Sequence, residues 1–119
     1  MPRILVVDDD EEVGSLAEFC LSSAGFEVRR ARDGAEGLRL SAEGAPDLVL
    51  LDLLMPGMHG YEACARLRAQ RPEVKILIHT GKRFAADRRA VEKLGADGFL
   101  LKPWTKEELL AAVRGLLAA

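Results

Sequence analysis

The sequence predicts an α/β protein: a parallel sheet with helices on both faces. Three observations carry that expectation. Short apolar runs at residues 4–7, 48–51, 74–78 and 99–101 read as strands, the first two continuous enough to be buried on both sides. The stretches between them place apolar residues at helical spacing. Each run ends on polar residues, Asp8, Asp52, His79-Thr80 and Lys102. Strand–helix alternation of this kind implies right-handed crossovers, and ligands in such sheets bind outside the carboxyl ends of the strands.

The first strand, Ile4-Leu5-Val6-Val7, runs straight into Asp8-Asp9-Asp10. Val13, Leu16, Ala17, Cys20, Leu21 and Ala24 then mark the inner face of a helix that Gly25 stops. Residues 26–31 alternate apolar and polar, as an edge strand does. Asp33-Gly34 turns the chain into a short helix with Ala35 and Leu38 inward, ended by Gly44-Ala45-Pro46. The next buried strand ends on Asp52, and the loop over 53–60 leads to a helix carrying Tyr61, Cys64 and Leu67, broken at Arg71-Pro72. The third apolar strand ends at His79-Thr80-Gly81, where His79 reads as strand-end packing. A charged helix follows from about residue 85 to 94, closed by Gly95. The last strand ends at Lys102-Pro103. Thr105 with Glu108 forms a capping box, and Leu109, Leu110, Val113, Leu116 and Leu117 line the final helix.

With 119 residues and no repeat, linker or low-complexity segment, residues 1–119 read as one domain. Apolar residues make up 49% and charged residues 30%, a globular balance, and a net charge of −2 provides no field for nucleic acid or acidic membrane. No apolar run nears the roughly 20 residues of a membrane span, and no signal pattern precedes the first strand, so a cytoplasmic location is expected. Cys20 and Cys64 fall within helical apolar patterns and read as buried thiols.

The polar residues at the strand ends carry the chemistry. Two carboxylates about 4 Å apart repel by roughly 4 kcal/mol at an effective dielectric of ~20, so clustered acids call for a shared proton or a cation. Asp8, Asp9 and Asp52 offer oxygen ligands suited to Mg2+, with Mn2+ as a substitute, and such a cation commonly bridges to phosphate. Lys102 and Thr80 supply an ammonium and a hydroxyl for phosphoryl oxygens, and a carboxylate beside the metal can itself be the nucleophile. The expected chemistry is phosphoryl transfer.

Four motifs in order name a family: Val6-Val7-Asp8-Asp9-Asp10, residues 52–60, Thr80-Gly81, and residues 95–103 ending in Lys102-Pro103. Over essentially its whole length the chain resembles the receiver domain of two-component response regulators. The resemblance implies a doubly wound, flavodoxin-like (βα)5 fold with sheet order 2-1-3-4-5 and five flanking helices. That order would set Cys20 and Cys64 on opposite faces of the sheet. The resemblance makes Asp52 the phosphoacceptor, taking its phosphoryl group from a sensor histidine kinase or phosphotransfer protein. Asp9 would bind magnesium directly and Asp8 mainly through water, with Asp52 and the Leu54 backbone carbonyl as further ligands. Lys102 would pair with Asp52 and then with the phosphoryl group. Thr80 and the switch aromatic Phe99 would move together and bias the face formed by the fourth helix, fifth strand and fifth helix, where a second copy could pair. Such a protein is a signalling phosphoacceptor rather than an enzyme with a separate substrate, and this domain itself would bind neither nucleic acid nor membrane. Lys102-Pro103 would be cis.

The chain departs from the family pattern at several places. Phe99 stands where Tyr is frequent, and Gly81 replaces a more usual Ala, which should loosen the loop after Thr80. His59 stands where Asp is common, and a neutral His there should cap the third helix poorly. Apolar Leu54 cannot orient an attacking water and Lys82 adds a cation, which together suggest a long-lived aspartyl phosphate. Lys82, Arg83, Arg88, Arg89 and Lys93 make the fourth helix basic, and Trp104 is expected to pack at the rim of that surface. Two other readings compete. One is a haloacid-dehalogenase-type phosphatase with Asp8 as nucleophile and Asp10 as acid. The other is a receiver-like module that binds without phosphorylation.

Overall fold

Strands form where the apolar runs lie, because each such segment presents side chains to two packed faces. The computed structural model describes residues 1–55, 57–81 and 88–118. In it β1 (Arg3–Val7), β2 (Glu27–Ala31), β3 (Leu48–Asp52), β4 (Lys75–Gly81) and β5 (Gly98–Lys102) alternate with α1 (Glu11–Ser23), α2 (Gly34–Gly44), α3 (Gly60–Gln70), α4 (Arg88–Lys93) and α5 (Lys106–Ala118). Every described strand pairing is parallel, in the order β2-β1-β3-β4-β5. Pro56, Lys82, Arg83 and Asp87 lie outside the described residues.

Side-chain parity splits the core in two. Leu5, Val7, Val49, Leu51, Ile76 and Ile78 pack with Leu40 of α2 and Cys64 and Leu67 of α3 on one face. Ile4, Val6, Leu48, Leu50 and Leu77 pack with Ala17, Cys20 and Leu21 of α1 and Leu109 and Val113 of α5 on the other. The two cysteines therefore sit on opposite faces, both buried and free. Burial pushes the Cys64 thiol up to about 11, which keeps it protonated and unreactive.

Two helices sit differently on the sheet from what their apolar spacing suggests. In α1 the inner face is Gly14, Ala17, Cys20 and Leu21, while Leu16 is 51% exposed. Leu16 lies about 100° around the helix from Ala17, at the edge of the apolar arc, and the helix is turned to put small Gly14 inside instead. In α2 Ala35 faces solvent and Gly34, Gly37, Leu40 and Ser41 face inward. Helix and strand approach closely there: a Cβ on Gly37 would lie 3.0 Å from Val7 Cγ2, so a larger residue would have to push the valine side chain aside. β4 extends past the apolar run to include His79, Thr80 and Gly81, because it keeps pairing with β5 as far as Gly81↔Lys102. Trp104 is buried in the α1/α5 cluster rather than at the rim of the α4–β5–α5 surface, since its indole N–H finds a buried acceptor in His79.

The ends of the elements are secured as the local chemistry dictates. Asp10 and Asp33 cap α1 and α2, and the Thr105–Glu108 capping box opens α5. His59 caps α3 after all: its Nδ1 accepts the Tyr61 amide at 3.1 Å, because a neutral imidazole keeps one nitrogen lone pair free. Arg68 on α3 donates to the carbonyls of Pro72, Val74 and Gly95 and pairs with Asp97 at 2.6 Å, tying α3 to the turn before β5. The Lys102–Pro103 peptide is cis.

Gly60 holds the loop that follows Asp52 against α3. A Cβ there would lie 2.4 Å from Leu53 Cα and 2.9 Å from the Asp52 carbonyl oxygen, both backbone atoms that cannot rotate away. At Gly81 an added Cβ meets nothing within 4 Å. Urea unfolding should therefore show Gly60→Ala destabilised by about 1–3 kcal/mol. Gly81→Ala should be neutral or more stable by up to about 1 kcal/mol, since its main effect is on the unfolded chain.

Candidate functional site

Register and parity together build the site. Val7 pairs with Leu51, so one residue further Asp8 stands beside Asp52, and Asp52 is itself paired with His79. Asp8, Asp52, His79 and Lys102 each lie two residues beyond a member of the α1/α5-side packing, namely Val6, Leu50, Leu77 and Leu100. They therefore share that face of the sheet. Thr80 lies two beyond Ile78 and belongs to the opposite face, with Phe99, which packs against the α2/α3-side cluster. Four strands thus converge on one edge, with Thr80 and Phe99 on the other side of the sheet.

Asp8 is the most heavily engaged group, and its side chain is fully buried. Its Oδ2 accepts from Lys102 Nζ at 2.8 Å and lies 3.2 Å from His79 Nε2. Its Oδ1 accepts the Asp10 amide at 2.9 Å. Lys102 thus sits closer to Asp8 than to Asp52, whose Oδ2 is 3.5 Å away; the resemblance pointed to Asp52 as its partner. The ammonium goes first to the more deeply sealed of two competing charges. Asp52 is 5% exposed and accepts a long 3.4 Å contact from the Leu54 amide. Asp9 is exposed, and one oxygen from each of Asp8, Asp9 and Asp52 can be chosen so that all lie within 4.8 Å of one another. An all-oxygen set of this kind suits a hard metal cation.

The electrostatics separate the two buried carboxylates. Burial alone would raise Asp8, but the nearby His79 imidazole, the Lys102 ammonium and the Asp10 backbone N–H outweigh it and bring Asp8 down to about 2. Burial raises Asp52 above the ordinary carboxylate range; Lys102 opposes this and the charge on Asp8 adds to it. A carboxylate held in a less stabilised ionised form is the better nucleophile. Thr80 Oγ1 is buried and without a hydrogen-bond partner among the described residues, a hydroxyl poised for an oxygen ligand. Phe99 is partly buried with the Arg88 guanidinium 5.9 Å from its ring centre, and Leu54 is 48% exposed.

His79 and Trp104 adjoin the site, although the sequence pointed to strand-end packing for one and to the rim of the α4–β5–α5 surface for the other. His79 is fully buried, and its Nδ1 accepts the Trp104 indole N–H at 3.2 Å. Burial lowers the affinity of His79 for a second proton, partly opposed by Asp8. The signal that finds it is parity: Leu77 and His79 repeat the two-residue step of Leu50 to Asp52. Asp10, the acid of the phosphatase reading, spends its side chain on the Glu12 and Val13 amides as a helix cap.

A family model described as response regulator receiver domain matches residues 4–114. The response regulator MprA of Mycobacterium sp. strain KMS is 44% identical over 115 residues, 97% of this chain and 50% of that protein. The DNA-binding dual master transcriptional regulator RpaA of Synechocystis sp. is 40% identical over 119 residues, 98% of this chain and 49% of that protein. The chain spans about half the length of these curated relatives. A CheY-like response regulator receiver domain protein from Methanospirillum hungatei superposes with a TM-score of 0.95 at 30% identity, over 99% of this chain and 94% of that one.

The opposite shifts of Asp8 and Asp52 make a pH test of the metal-free protein. A carboxylate whose folded pKa is depressed stabilises the fold above its unfolded value and loses that contribution as pH falls through the folded one. For Asp8 the window runs from 3.8 down to about 2 and is worth about 2 kcal/mol. Asp52, raised, acts with the opposite sign, since its ionised form is the disfavoured one in the fold. Urea stability measured with a chelator present should fall across this window, and Asp8→Asn should flatten the fall. In Asp8→Asn, a carboxyl 13C titration should find Asp52 titrating at lower pH than in wild type.

Proposed function

The chain belongs to the response regulator receiver family, and on that premise we propose that Asp52 accepts a phosphoryl group from the phosphohistidine of a sensor histidine kinase or phosphotransfer protein. The observation that carries the reading is Asp52 itself: a buried carboxylate with a raised pKa, beside two further acids and 3.5 Å from the Lys102 ammonium that it shares with Asp8. An Asp52 oxygen attacks phosphorus, the phosphorus–nitrogen bond breaks, and the imidazole nitrogen leaves with the bonding pair. Lys102 then turns from Asp8 to the new charge on Asp52, a short step for a side chain already between them. The buried Thr80 hydroxyl supplies a hydrogen bond to a phosphoryl oxygen.

Asp8, Asp9, Asp52 and the Leu54 carbonyl would hold Mg2+, or Mn2+ in its place. When bound, the ion offsets the negative charge gathered by the carboxylates and the phosphoryl group. The protein acts as a phosphoacceptor in the cytoplasm rather than as an enzyme with its own substrate. Its readout is the α4–β5–α5 face, which exposes Leu101 at 38% beside Phe99 and Arg88. A second copy or an output partner docks there. No helix among the described residues is long and apolar enough to cross a membrane.

Intact mass after incubation with acetyl phosphate tests the proposal. One phosphoryl group should add only with Mg2+ present, and Asp52→Asn should abolish it. Phosphate release that depends on Asp8 and not on Asp52 would replace this reading with a phosphatase. No adduct in a folded, Mg2+-binding protein would leave a phosphorylation-independent binding module.

Leu54, half exposed and apolar, lies two residues beyond Asp52 and cannot guide water to the phosphoryl group. The adduct should therefore be long-lived, and Leu54→Asn should shorten its half-life several-fold in a dephosphorylation time course.

A further inference from the structure

The proposed transfer makes no use of the buried contact between His79 and Trp104. An indole nitrogen is a donor only, so the 3.2 Å contact from Trp104 Nε1 requires a lone pair on His79 Nδ1. The ring proton of the neutral imidazole must then sit on Nε2. That nitrogen is 3.2 Å from Asp8 Oδ2, the same oxygen that receives Lys102 at 2.8 Å. It has no aligned hydrogen-bond partner among the described residues, although the ring is completely buried.

We propose that His79 is a positioning residue for the acidic site: Trp104 fixes its Nε2–H tautomer, which stands as a reserve donor to Asp8 beside Lys102. With Lys102 on Asp8, the imidazole N–H waits off the hydrogen-bond line. Resting on the phosphoacceptor reading, Lys102 leaves Asp8 once the cluster holds a cation or Asp52 a phosphoryl group. The Asp8 side chain is sealed from water and cannot replace the lost donor with solvent. His79 is the group placed to do so, and it keeps Asp8 oriented as a ligand, as outer donors do around metal-binding carboxylates. The other tautomer would reverse the effect by turning a nitrogen lone pair toward a carboxylate oxygen. Trp104 thus acts on the site only through the proton position of His79.

The test combines imidazole 15N spectra with calorimetric titration of Mg2+ alone, in wild type, His79→Leu, His79→Gln, Trp104→Phe and the double variant His79→Leu/Trp104→Phe. The chain has only two histidines, and removal of His59 assigns them. Wild-type His79 should carry its proton on Nε2, and Trp104→Phe should convert this to a mixture of tautomers. Mg2+ affinity should fall about tenfold in His79→Leu, and His79→Gln, whose amide retains a donor at similar reach, should restore most of it. Trp104→Phe should weaken Mg2+ only when His79 is present, a non-additivity that simple packing does not produce. A proton on Nδ1 in wild type overturns the proposal. So does wild-type affinity in folded His79→Leu, or an equal loss from Trp104→Phe with and without His79. If His79→Leu does not fold, the tautomer and Mg2+ affinity of Trp104→Phe decide alone. Failure of the phosphoacceptor reading looks different: no phosphoryl adduct forms on wild type, while the tautomer and Mg2+ results stand.

Discussion

The structure turns on one electrostatic constraint: two buried carboxylates, Asp8 and Asp52, sharing the Lys102 ammonium at 2.8 and 3.5 Å. At an effective dielectric of ~20, neighbouring like charges cost several kcal/mol, and one lysine cannot fully satisfy both. The unequal sharing drives the two acids apart, Asp8 down to about 2 and Asp52 upward. One carboxylate is held in its ionised form, and in the other that form is disfavoured. A site with that asymmetry has a ready use for added positive charge and for a group that draws Lys102 away from Asp8.

The parallel sheet makes this arrangement possible at low structural cost. Parallel register brings the ends of β1, β3, β4 and β5 to one edge, and the two-residue period of a strand decides which side chains share a face. The rows below the site are apolar and closely packed, with β3 buried at every position, so Asp52 is carried on a rigid support. Phe99 stands on the opposite face from Lys102 although both belong to β5, and Thr80 shares that face. The sheet therefore separates charge handling on one side from the aromatic and its α4 neighbour Arg88 on the other.

The helix faces were less legible than the strands. A strand that is apolar at every position has no face to choose, whereas a helix with a broad apolar arc can rotate by one residue at little cost in buried area. α1 and α2 did so, turning Gly14 and Gly37 inward and leaving Leu16 and Ala35 outside. Glycine carries no hydrophobic signal, so close packing through it is invisible to periodicity. The His59 cap was missed for a related reason: whether an imidazole donates or accepts depends on which nitrogen faces the helix end, and only coordinates supply that.

By itself the sequence determined the class of fold, the strand positions and the strand-end residues Asp8, Asp9, Asp52, Thr80 and Lys102, because burial and periodicity are local properties of the chain. Its motifs also led to the family that the comparisons establish. Tertiary structure decided how those residues are shared. It gave Lys102 mainly to Asp8, placed Thr80 on the far face from His79, and buried Trp104 against His79. Those outcomes depend on distances between strands remote in sequence and on which donor reaches which acceptor first, quantities that exist only once the sheet is assembled.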